Sequence, residues 1–140
     1  MRRVYLIILV TTFILTGCQD ALPQDVNLKG NILLWHSWDE RDELVLNQVL
    51  EQIPEISTTI HVISMYVPSE ELKERYVLAT QQGVGPDLLM GPNEWVRELA
   101  DEGVVRPIDP EEYGINAYMP ASLTALRYLD EYYGFPMAVY

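Results

Sequence analysis

The sequence predicts an α/β fold, a parallel sheet with helices laid on its faces, and three features predict it. Short apolar or β-branched runs recur at Asn31–Trp35, Thr58–Ser64 and Asp87–Met90. Each is followed within a few residues by a helix-opening signal and then by apolar residues at helical spacing. Proline or glycine then closes each helical stretch, at Pro54, Gly83 and Gly103. Strands alternating with helices in this way form βαβ units with right-handed crossovers.

The first strand, Asn31–Trp35, reads as buried. Ser37-Trp-Asp-Glu40 behind it fits the capping box that opens a helix. Leu46, Val49, Leu50 and Ile53 then form one apolar face, and Pro54 stops the helix. The second strand, Thr58–Ser64, leads to Pro68-Ser-Glu-Glu71, an N-cap with acids where the helix dipole favours them. Leu72, Tyr76 and Ala79 face inward, and Gly83 ends that helix. The third strand, Asp87–Met90, meets Gly91-Pro92, which places proline at the first helical position. Trp95, Val96 and Leu99 make its buried stripe. Residues Tyr118–Tyr128 read as a short helix with Leu123 and Leu126 inward, and Tyr132–Tyr140 as a final extended segment at a sheet edge.

The N-terminus reads as an address. Arg2-Arg3 precede a 12-residue apolar segment, Val4–Leu15, interrupted only by Thr11 and Thr12. A membrane-spanning helix needs about 20 apolar residues, so this segment has the length of a signal h-region instead. Leu15-Thr-Gly-Cys18 at its end resembles a bacterial lipoprotein processing site. Residues 1–17 are then a signal peptide, Cys18 carries the lipid, and 18–30 form a flexible tether. Cys18 is the only cysteine, so no internal disulfide is possible. The expected location is the cell envelope, lipid-anchored to a membrane and facing the periplasm or exterior.

Loss of residues 1–17 leaves 123 residues, seven bases against 21 acids and a formal charge of −14. Such a surface repels nucleic-acid phosphates and anionic head groups, so no nucleic-acid partner is expected. No cysteine–histidine cluster has metal-ligand spacing, and Asp109, Glu111 and Glu112 read as a solvated turn. No nucleophile elbow or phosphate-cradling glycine loop is present. The expectation is no enzyme, no metal and no cofactor.

In a parallel sheet, ligands sit at the carboxyl ends of the strands. The loops His36–Asp39, Ser64–Ser69 and Met90–Trp95 therefore converge on a candidate site. These segments also carry a family likeness. Ile32–Trp38 resembles the first strand of extracellular solute-binding proteins of sugar-type ABC transporters, the maltose-binding class. Thr80–Met90, with Gly83-Val-Gly-Pro-Asp87, resembles that family's approach to strand three. Leu99–Ile108 and Tyr133–Val139 resemble its next two motifs, and the four occur in order. The resemblance implies a periplasmic-binding-protein type II-like fold. Residues 31–140 would be most of its N-terminal lobe, with the second lobe absent from this chain.

The resemblance further implies capture of a carbohydrate and its delivery to ABC transporter permease subunits. Trp38 and Trp95 are the candidate stacking rings, since aromatic faces bury the C–H surface of sugars. Core packing is the alternative for both, and Trp35 reads as core. Asp39 and Glu94 stand where the family's sugar binders place carboxylates that accept from hydroxyls; dipole pairing at helix starts is the alternative. His36, Ser37 and Asn93 can hydrogen-bond a ligand; a structural role is the alternative for His36 and helix capping for Asn93, while His61 reads as structural. Gly91 stands where maltose binders carry a stacking aromatic, and Tyr140 where they carry an acid. Two other functions fit the residues: a structural lipoprotein fragment without transport function, or the same fold holding an amino acid or polyamine.

Overall fold

β1 (Gly30–His36) is the middle strand of a three-stranded parallel sheet, between β2 (Ile60–Tyr66) and β3 (Leu88–Leu89). The computed structural model describes residues 29–53, 59–109, 112, 114 and 118–137. The segment expected to be a signal peptide, Cys18 and most of the expected tether, together with Pro54, Glu111 and Tyr140, lie outside the described residues. Between the strands run α1 (Glu40–Leu50) and α2 (Ser69–Gln81). After β3 come a 3₁₀ turn (Asn93–Trp95) and α3 (Val96–Asp101), then α4 (Pro120–Thr124) and the strands β4 (Arg127–Tyr128) and β5 (Glu131–Tyr132).

The β1–β2 ladder pairs Gly30 with Ile60 through to His36 with Tyr66, one for one. β2 thereby takes its length from β1 and runs two residues beyond the expected end at Ser64. β3 is shorter than expected. Asp87 donates its backbone N–H to the Leu33 carbonyl, at 2.9 Å. Its carboxylate then accepts the Leu33 N–H at 2.8 Å, a bond a strand carbonyl would otherwise make.

Leu33, Trp35 and Leu89 share one face of the sheet, because residues paired across parallel strands point the same way. The main core forms there: Trp35, Val67, Leu72, Tyr76, Leu99 and Val104. Fully burying such a leucine or valine contributes about 1.5–3 kcal/mol. Tyr76 spans this core and donates its hydroxyl to the Val104 carbonyl at 2.8 Å. Lys73 on α2 meets Glu98 on α3 at 2.6 Å. Tyr128 ties the hairpin to α3 by donating to Asp101 at 2.6 Å, with Arg97 lying over its ring.

Several boundaries differ from expectation. Because β1 extends to His36, α1 starts at Glu40 and its cap is Asp39, not Ser37; the Asp39 carboxylate accepts from the N–H groups of Arg41 and Asp42. α1 ends at Leu50, ahead of Pro54. Leu46 is buried but Val49 is exposed, lying about 60° around the helix from Leu46. Pro92 precedes the first helical turn instead of starting it, and the Trp95 N–H returns to the Pro92 carbonyl in a 3₁₀ step. The helix expected over Tyr118–Tyr128 is only α4, with Leu123 and Leu126 buried as expected. Where that helix was expected to end, the chain forms a separate antiparallel hairpin, β4–β5, bridged from Tyr132 to Ile108; of the extended segment expected over 132–140, Tyr132 alone is in a strand among the described residues. His61 lies in β2 but is exposed.

Candidate functional site

The three strands finish at one rim. His36 pairs with Tyr66 at the ends of β1 and β2, and Trp35 pairs with Leu89 in β3. Two backbone bonds turn the chain there: Val67 N–H to the His36 carbonyl, 2.8 Å, and Met90 N–H to the Trp35 carbonyl, 2.9 Å. The segments leaving the rim are therefore 37–39, 67–68 and 90–95, and each feeds a helical turn. Since β2 runs to Tyr66, the middle loop is much shorter than the expected Ser64–Ser69.

Ser37 and Trp38 are half-buried between β1 and α1, and Asp39 is exposed beside them. Across the rim, Gly91, Asn93 and Glu94 are exposed and Trp95 is half-buried. The Trp95 indole packs against the main core. Its six-membered ring also covers Gly91: a Cβ on that glycine would stand 2.8 Å from Cζ3 and 2.9 Å from Cε3. The Trp95 ring is thus part core wall and part rim.

His36 has no exposed surface, so its imidazole is closed off from the rim that Ser37 and Trp38 border. Its ring stands edge-on to Tyr66 at 6.1 Å, and neither ring nitrogen has a hydrogen-bond partner among the described residues. Tyr66 itself is half exposed, a rim aromatic that sequence reasoning passes over. The signal for it was an aromatic three residues before the helix that follows the strand. Among the described residues, no group of three or more histidine, cysteine or acidic side chains could hold a metal.

An open depression of about 490 Å³ lies over Glu94, Arg97, Glu98, Asp101 and Glu102, sharing only Glu94 with the rim residues. Nearby, the hydrogen bond to Asp101 raises the Tyr128 phenol above its ordinary range. No helix among the described residues is long and apolar enough to cross a membrane.

Comparison with known proteins agrees with the architecture. The chain is 25% identical to the maltotriose-binding protein of Pyrococcus abyssi over 113 residues, 78% of this chain and 24% of the relative. It superposes on a maltose/maltodextrin-binding domain from Bdellovibrio bacteriovorus, solved bound to maltotriose. The TM-score is 0.66 and the identity 29%, over 74% of this chain and 27% of that one. The GacH receptor of Streptomyces glaucescens, solved unliganded and with acarbose, shares the fold at a TM-score of 0.70. There the identity is 21%, over 77% of this chain and 29% of that one. The chain therefore spans about a quarter of the length of the relatives it matches, and its strands and helices correspond to part of one lobe of a periplasmic binding fold. The family described as bacterial extracellular solute-binding protein matches residues 56–140, and this chain belongs to that family.

Proposed function

We propose that the rim of the parallel sheet captures a carbohydrate, and that the protein serves as the lipid-anchored, extracytoplasmic binding component that presents the sugar to an ABC transporter permease. The supporting observation is that two half-buried indoles, Trp38 and Trp95, and two exposed carboxylates, Asp39 and Glu94, lie on loops that leave adjacent parallel strands. Indole faces take up the apolar C–H surface of a pyranose, and carboxylates accept its hydroxyl protons. Ser37 and Asn93 add neutral polar groups beside them. The protein binds its solute and performs no chemistry on it.

The sugars named for the relatives set the first probe, maltotriose. Titration calorimetry or ligand-observed nuclear magnetic resonance should detect binding at about millimolar strength, near −4 kcal/mol. Trp38→Ala should weaken it by about tenfold, the scale of one aromatic contact. Silence with maltotriose, mannotriose and monosaccharides would count against the proposal. The net charge of −12 and the exposed Asp39 and Glu94 favour a second reading, a cationic amine as solute. Spermidine binding that salt abolishes, without any sugar response, would select it. The anchor is tested separately: Cys18→Ser should release the protein from the membrane fraction.

A further inference from the structure

We propose that Gly91 is a positioning residue for the Trp95 indole, and that glycine and ring together form the wall of the rim on which a pyranose stacks by its C–H face. The proposal rests on the sugar reading above and names how that site is shaped.

Backbone geometry does not explain the glycine. Gly30, Gly83, Gly103 and Gly114 occupy positive φ, and Gly91 is not among them. What explains it is close approach, the other use of a residue without a Cβ. The chain at this point is held from both sides. The Met90 N–H is bound to the Trp35 carbonyl, and Pro92 has its φ fixed at −58°. The Trp95 N–H then returns to the Pro92 carbonyl at 3.2 Å, a tight turn that brings residue 95 back over residue 91.

The indole edge comes down onto the bare α-carbon. Any side chain at position 91 would put its Cβ 2.8 Å from Cζ3 and 2.9 Å from Cε3. Carbon atoms at best contact stand about 3.5–4.0 Å apart. The ring cannot retreat freely, because it also packs against the core that contains Leu99 and Val104. A Cβ would therefore push the indole off its seat. The aromatic surface at this side of the rim belongs to Trp95, and the missing side chain at 91 sets where it lies.

The test uses maltotriose and the intact chain. Gly91→Ala should shift the tryptophan emission and weaken maltotriose binding by about tenfold, while the far-ultraviolet circular dichroism stays unchanged. Adding Trp95→Phe to Gly91→Ala should recover part of the lost affinity, since the smaller ring vacates the space of the Cβ. If Gly91→Ala fails to fold, Trp95→Phe alone carries the test and should weaken binding. Parental affinity within twofold in Gly91→Ala, or in Trp95→Phe, overturns the positioning role and leaves the sugar reading standing. A parent chain that binds no sugar overturns the sugar reading, and the inference with it.

Discussion

Tyr76 shows how one side chain can serve packing, hydrogen bonding and titration together. Burial raises its phenol above the ordinary value of 10.0, and the nearby Thr80 side chain opposes that shift in part. The unfolded chain then loses the proton first as pH rises past about 10. Above that point the folded state binds more protons than the unfolded state, so stability falls with increasing pH. The contribution of Tyr76 to stability should be level below about pH 10 and decline above it. Tyr76→Phe should cost about 1 kcal/mol at neutral pH through the lost bond to Val104, and should flatten the alkaline decline. Urea denaturation at a series of pH values checks both, and an unchanged alkaline slope in the variant would refute the assignment. The rim residues were legible in the sequence to the extent that their position followed from strand ends. Trp38, Asp39, Glu94 and Trp95 lie just past the ends of β1 and β3. The burial of His36 was not legible, because it follows from β1 running one residue past Trp35. The seating of Trp95 on Gly91 was not legible, because it depends on a 3₁₀ turn that propensity does not signal.

The two helix endings closed by glycine were readable, because their chemistry is local. α2 and α3 both close with the same pair of bonds. Gly83 N–H reaches the Thr80 carbonyl and Val84 N–H the Ala79 carbonyl; Gly103 and Val104 repeat the pattern on Ala100 and Leu99. Both glycines hold left-handed φ, +74° and +67°. Gly83→Ala has open space for its methyl but not the backbone preference, and should cost about 1 kcal/mol by thermal denaturation. The β4–β5 hairpin was not readable. Its two turn residues, Leu129 and Asp130, both take positive φ, as a type I′ turn requires, yet Leu-Asp lacks the usual Asn-Gly signature. Leu123 and Leu126 are three residues apart, a spacing that also suits a continuing helix, so the sequence favours helix where the chain turns. Leu129 is 75% exposed and packs little, and its conformation suits asparagine better. Leu129→Asn should therefore stabilise the protein by about 0.5–1 kcal/mol, with Asp130 kept for its 2.7 Å contact to Arg127. A lower melting temperature would show that the leucine packs in a way its exposure conceals.

At the scale of the whole molecule, the parallel order β2-β1-β3 follows from the alternation of elements, whereas the incomplete cover of the sheet does not. Parallel sheets normally have both faces buried. Here β2 is an outer strand, and no further strand pairs with it among the described residues. Its sequence, Ile-His-Val-Ile-Ser-Met-Tyr, has no charge, proline or glycine, the devices that usually blunt an edge. His61, Ile63 and Met65 share one face and are exposed, with Ile63 at 51%. Such a strand is a template for pairing with another extended backbone. Opposing this is the net charge of −12, which keeps copies apart while its field is unscreened. Salt at about 0.15 M shortens the reach of that field to about 8 Å, so self-association should strengthen from low salt to physiological salt. Ile63→Lys places a charge on the exposed edge without opening the core, and should keep the chain monomeric at both ionic strengths. Sedimentation velocity at the two salt concentrations reads the result directly. A parent chain that stays monomeric in both, or a variant that associates as the parent does, would mean that β2 is not the adhesive edge.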